Sequence, residues 1–150
     1  MLPVRAKASK DKPPMVIGWR ERVSLPALGV GPFPAKIDTG ARSAALHATA
    51  IRQEDRDVSF ILPIKGRNHH CRLPLKGLRR VKSSSGHAET RAVVETQVKI
   101  GRHLLHIEVT LTDRTDMGVP MLLGRASIGH GFLVNPSKTN ILSARRRKPS

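Results

Sequence analysis

What most limits the fold of this chain is a period of two. Val58, Phe60, Leu62 and Ile64 fall on every second residue, and the run stops at Gly66. Leu105, Ile107, Val109 and Leu111 repeat the pattern, with His106, Glu108, Thr110 and Thr112 between them. Such spacing puts one apolar row on one face of a strand, so each segment needs a core on one side. Further strands are expected at 16–19, at 21–28, and at 71–75, where Pro74 suits an edge. Residues 79–84 and 88–100 read as a long hairpin with a small, polar tip at 83–86. The apolar run 121–123 reads as a strand buried on both faces. Residues 132–134 and 139–142 complete the sheet, and Ala126 to Gly129 reads as a short helical turn. The alanines of 44–51 favour helix while its placement favours strand. Short strands with turn residues between them predict an all-β barrel.

Size and charge set further bounds. A chain of 150 residues is one domain with room for a core. One cysteine, Cys71, excludes an internal disulfide and favours a reducing compartment. The opening MLPVRAKASKDKPP lacks the apolar stretch of a signal peptide, and nothing resembles a membrane span. A cytoplasmic protein without membrane contact is expected. Lys and Arg number 27 against 11 Asp and Glu, a net of +16. A basic arm over 1–14 carries +3 and a basic tail over 144–150 carries +4, leaving 16 − 3 − 4 = +9 on residues 15–143. Such a body attracts polyanions. With one Trp, three Phe and no Tyr, base-stacking surfaces are scarce, so that attraction is expected to be nonspecific.

Chemistry concentrates in two stretches. Ala35-Lys36-Ile37-Asp38-Thr39-Gly40-Ala41 reads as a strand delivering an acid into a tight loop. Gly40 permits a sharp turn and adds no side chain to crowd the carboxylate. Pro120-Met121-Leu122-Leu123-Gly124-Arg125 is an apolar strand ending in Gly-Arg. An apolar–Asp-Thr-Gly-Ala loop followed by an apolar Gly-Arg strand resembles the retropepsin-like aspartic peptidases. More closely, AKIDTGARSAALHA (35–48), VKSSSG (81–86) and LTDRTDMGVPMLLGR (111–125) resemble the bacterial domain long labelled ATP-dependent zinc protease. The likeness runs from about Ile17 to Leu142.

This resemblance implies a small closed β-barrel of retropepsin type with one short helix near the C-terminus. It implies Asp38 as the catalytic acid, supported by Thr39, Gly40, Ala41, Gly124 and Arg125, with Ser84, Ser85 and Gly86 as a flap. An aspartic peptidase needs two carboxylates sharing a proton, and one Asp-Thr-Gly supplies only one. The family's remedy is a homodimer in which each chain donates Asp38, with Arg125 bracing the contact. Two departures bear on that contact: Arg42 stands where many retroviral enzymes carry an acid, and Ala126 replaces an Asn or Asp. Asp113 and Asp116 are alternative partners for Arg114, Arg125 or Arg42. The family's kinship with ATP-grasp ligases that attach glutamate implies an acidic or ligase-made peptide as substrate. The alternative is a catalytically silent basic module on ribosome or nucleic acid.

No cofactor is expected. There is no His-Glu-x-x-His, and His103 and His106 leave opposite faces of a strand. His69, His70 and Cys71 are the only dense ligand cluster, with His47 elsewhere in the chain. A phosphate-binding loop is also missing, so ATP dependence would belong to a partner.

Overall fold

The computed structural model describes residues 13–82 and 85–144. The basic arm expected over 1–14 (beyond Pro13 and Pro14), the tail after Ala144, and Ser84 of the expected flap lie outside the described residues. Eleven strands run in chain order as β1 Met15–Leu25, β2 Val30–Ile37, β3 Ala44–His47, β4 Thr49–Glu54, β5 Asp57–Ile64, β6 Arg67–Pro74, β7 Gly77–Lys82, β8 Ala88–Ile100, β9 His103–Thr112, β10 Met121–Leu123 and β11 Phe132–Thr139. Two short helices, α1 Arg125–Ile128 and α2 Ile141–Ala144, flank β11.

Eight strands form one mixed sheet in the order β11-β1-β2-β10-β3-β9-β8-β7. A further β1–β8 pairing, Ser24 opposite Lys99, brings six of them into a roughly closed ring. The other three strands, β4-β5-β6, make a separate antiparallel sheet with β6 at its edge. The architecture is all-β, as the alternation implied. Val58, Phe60, Leu62 and Ile64 are buried from β5, and together with Phe33, Leu46, Leu111 and Met121 they belong to one apolar core.

Several local expectations are corrected. The strands expected at 16–19 and 21–28 merge into one strand, β1, which ends at Leu25 before a 3-10 turn over Pro26–Leu28, and whose register against β11 shifts between Gly18 and Arg20. The irregularity interrupts the sequence pattern without ending the strand. Residues 44–51, where helix and strand were both open, are extended: Ala44, Ala45 and Leu46 are buried between β9 and β10, where pairing overrides alanine's helix preference.

Thr110 and Thr112, expected on an outer face, are fully buried. Their hydroxyls are satisfied there, Thr110 donating to the Ala44 carbonyl at 3.2 Å and Thr112 to Glu89 Oε2 at 3.0 Å. Residues 139–142, expected as strand, lead instead into α2, a second helix where one was expected. The cause is Glu21, whose wholly buried carboxylate accepts from the N–H groups of Ile141 (2.9 Å), Leu142 (3.3 Å) and Ser143 (2.9 Å). It also accepts from the Gly18 N–H at 2.7 Å and the Ser143 hydroxyl at 2.8 Å. One buried acid thus supplies acceptors to the helical N–H groups that have none of their own.

Candidate active site

The Asp38 loop takes its shape from β10. That strand runs parallel to β2 (Leu123 opposite Ile37) and antiparallel to β3 (Leu122 opposite Ala45), so it threads between the two strands the loop joins. Met121 and Leu123 are fully buried, but Leu122, expected to be buried too, is half-buried and faces the groove described below. Past its end, the Asp38 N–H donates to the Leu123 carbonyl at 2.9 Å. The chain then crosses under the loop at Gly124. A β-carbon there would lie 2.5 Å from the Ser43 carbonyl oxygen and 2.8 Å from Arg42 backbone atoms. No side chain fits that crossing, which is why the apolar run ends in glycine.

Beyond the crossing, α1 grips the loop. The N–H groups of Arg125 and Ala126 donate to the carbonyls of Ala41 (2.8 Å) and Arg42 (2.9 Å). The Arg125 guanidinium reaches back to the Thr39 carbonyl at 3.0 Å. Within the loop, the Ala41 N–H closes a turn onto the Asp38 carbonyl at 3.1 Å, and the Gly40 N–H donates to Asp38 Oδ1 at 3.1 Å. Gly40 does not use the left-handed region open to glycine; a β-carbon there would sit 3.4 Å from Asp38 Oδ1. That is ordinary van der Waals contact, so what Gly40 gives the carboxylate is its N–H. Asp38 is half-buried, while Thr39 and Gly40 are exposed.

Asp38 opens into a groove of about 830 Å³. Among the described residues that line it, Asp38 is the only acid, facing Arg42, Arg79, Arg80, Lys82, Arg91 and Arg114. Arg79 is held by Glu108 at 2.7 Å and Arg114 by Asp116 at 3.1 Å. These partners hold the Glu108 and Asp116 carboxyls below the usual carboxylate range, chiefly by donating hydrogen bonds to them. Arg42, Arg80 and Lys82 have no carboxylate within ion-pair distance among the described residues. A smaller cavity of about 240 Å³ adjoins the groove, lined by Ser85 and His87 of the hairpin tip with Glu89 and Asp116. Val81, Arg91 and Arg114 line both.

The structure therefore brings together Asp38, Thr39, Gly40, Ala41, Gly124 and Arg125. Ser85 stands at the adjoining cavity, with Gly86 beside it in the hairpin between β7 and β8. Asp113 is exposed, and Asp116 lines the adjoining cavity rather than the Asp38 groove. His47 is buried, and its Nδ1 accepts from the Arg114 N–H at 2.9 Å, fixing the loop that carries Arg114. Among the described residues no three His, Cys, Asp or Glu side chains converge as a metal centre requires. Sequence reasoning did not single out the arginines of the groove, apart from Arg42 and Arg114. The sequence offered no local signal for Arg91, which shares its row of β8 with Glu89, Glu95, Gln97 and Lys99 and with Val93 as the one apolar member.

An acid loop pinned by a strand threaded between its own arms, with glycine at the crossing, has the arrangement of the acid loop in retropepsin-like aspartic peptidases. Comparison with known proteins narrows this. Residues 16–145 match the family model of the RimB-like domain, described as retropepsin-like aspartic endopeptidase RimB, and the chain belongs to that family. A Shewanella halifaxensis protein named "probable alpha-L-glutamate ligase" is 39% identical over 132 residues, covering 83% of this chain and 29% of that protein. A Desulfotalea psychrophila protein of the same name is 35% identical over 137 residues, 86% of this chain and 30% of its own length. The chain thus spans under a third of these relatives. A crystal structure of a Legionella pneumophila protein of unknown function (DUF785) superposes with a TM-score of 0.74 at 30% identity, covering 85% of this chain and 98% of that one.

Proposed function

We propose that this chain is an aspartic peptidase whose active unit is a homodimer, each protomer contributing Asp38. The observation that carries the reading is the placement of Asp38: half-buried, braced by Gly40, Leu123 and Arg125, and open to a groove where it is the only acid among the described lining residues. In the dyad one carboxylate, ionised, takes a proton from water while the other, protonated, donates to the substrate carbonyl oxygen. Water adds to the carbonyl carbon; collapse of the adduct breaks the C–N bond and sends a proton to the leaving amine. Arg125 is already bound to Thr39 of its own loop, so it stiffens the half-site without the acid that Arg42 replaces. The exposed Thr39 leaves its side chain available to the partner's loop.

The substrate proposed is an acidic polypeptide, or one carrying ligase-added glutamate. Six cations around one acid support this electrostatically. The names of relatives in which a similar segment occupies under a third of a glutamate ligase support it independently. Cys71, buried and free, suits a reducing compartment, and the cytoplasm is the proposed setting.

The test is hydrolysis of a glutamate-extended peptide by wild type and Asp38→Asn. The variant should lose activity while its melting temperature stays within about 2 °C, since the substitution keeps the loop's shape. Asp38→Asn chains mixed into wild type should also depress activity beyond simple dilution, because hybrid dimers hold one acid. An active Asn variant refutes the aspartic reading, and dilution without poisoning refutes the dimer.

A further inference from the structure

Arg91 is costly where it stands. It lies on β8 directly opposite Arg79 on β7, and like charges facing each other across strands repel. Its side chain is only 8% exposed. Burying a guanidinium demands close, complete pairing, yet Arg91 has little. Its bonds to Thr110 Oγ1 and Glu89 Oε1 are long, 3.3 and 3.4 Å, and its Nε–H has no acceptor. Glu89 is itself 45% exposed and gives its other oxygen to Thr112. Arg79 is committed to Glu108, and Arg114 to Asp116. The result is a buried, under-compensated cation where the Asp38 groove meets the cavity beneath the hairpin tip.

We infer that Arg91, helped by Arg114, is a specificity-determining residue that receives a side-chain carboxylate of the substrate in this junction. The inference rests on the reading of the groove as the substrate cleft. A bound carboxylate would supply better acceptors to the terminal nitrogens, whose present bonds are long, and offset the Arg79–Arg91 repulsion. A neutral amide of the same shape would supply one oxygen and no charge, so the site would separate glutamate from glutamine. A planar guanidinium fits a carboxylate with two parallel bonds, which a lysine there could not do. The surrounding Arg80, Lys82 and Arg42 are exposed and attract acids without choosing among them.

The experiment is fluorescence-anisotropy binding of labelled hexaglutamate at about 150 mM salt. The full chain carries Asp38→Asn, so that the peptide stays whole. Arg91→Gln should weaken binding about 10- to 100-fold, the loss expected for a buried charge-assisted pair. Arg102→Gln removes the same charge at the opposite end of β8 and should cost less than about 3-fold. Hexaglutamine, bound weakly, should be indifferent to Arg91→Gln. Equal losses for Arg91→Gln and Arg102→Gln would reduce the effect to bulk charge and overturn the inference. So would an effect that vanishes when the peptide's C-terminus is amidated, since the carboxylate read would then be terminal. If Arg91→Gln does not fold, Arg91→Lys keeps the charge and should lose about 5-fold or more; an unchanged affinity overturns the inference. Hydrolysis lost in Asp38→Asn speaks to the peptidase reading, whereas these affinities speak to Arg91 alone.

Discussion

Glu21→Gln is the substitution whose cost the structure fixes best. The wild-type carboxylate is fully buried and accepts five hydrogen bonds, three from the backbone of α2, one from Gly18 and one from the Ser143 hydroxyl. The amide has nearly the same volume, so no cavity term enters. It keeps one acceptor oxygen and turns the other into a donor facing donors. On the Oε2 side the Gly18, Ile141 and Leu142 N–H groups would lose their acceptor; on the Oε1 side the two Ser143 donors would. Either orientation strands two or three groups at about 1–2 kcal/mol each, a total of about 3–5 kcal/mol. That is a large share of the about 5–15 kcal/mol that holds a typical domain folded. In equilibrium urea unfolding, with a slope of about 2 kcal/mol per molar, the midpoint should fall by about 2 M. The control is Glu54→Gln, whose exposed pair with Arg72 should move it by less than about 0.3 M. A Glu21→Gln midpoint within 0.5 M of wild type would refute the reasoning: the carboxylate's bonds would then be no better than those water offers in the unfolded chain.

Other perturbations probe separate parts of the molecule. Gly124→Ala should lose about 1–3 kcal/mol of stability by denaturant titration and most peptidase activity, because the new methyl meets the Ser43 carbonyl. Glu108, its pKa held below the ordinary 4.5 by Arg79, contributes stability above that pH and loses it as acid titrates the lowered pKa. Glu108→Gln should flatten the acid side of the stability–pH curve slightly, the pair being exposed, and a steeper curve would contradict the sign. Affinity for RNA or polyglutamate should fall steeply with salt, and removing residues 1–14 and 144–150 should weaken it while leaving hydrolysis intact; strong RNA sequence preference would argue against nonspecific attraction.

How far the molecule was legible in its sequence depended on the range of the interactions. The β5 alternation could be read directly, because burial on one face is written in residue spacing; the apolar β10 run showed a strand but not that Leu122 faces the groove. The two motifs around Asp38 and Gly124 could be paired because a resemblance joined them; nothing local says that residues so distant touch. Glu21 looked like an ordinary polar position in a strand, since four of its five donors lie about 120 residues away. Thr110 and Thr112 obeyed the alternation and were buried regardless, because a strand flanked by β3 and β8 and capped by Glu89 and Arg91 has no free face there. Arg91 escaped notice for the converse reason: in a chain with 27 basic residues, one more cation carries little information until its burial is known.

The threading of β10 also bears on when the protein can act. Asp38 is held by Leu123, 123 − 38 = 85 residues further on, and the rest of its loop by α1 just beyond it. Contacts so distant along the chain form late and slow the folding of sheet proteins. At about 5–20 residues per second, a ribosome exposes Asp38 several seconds before it delivers the strand that shapes the loop. During that interval the acid is an ordinary flexible aspartate. The topology thus acts as a clock, keeping the Asp38 loop unorganised until the strand 85 residues further on has been made.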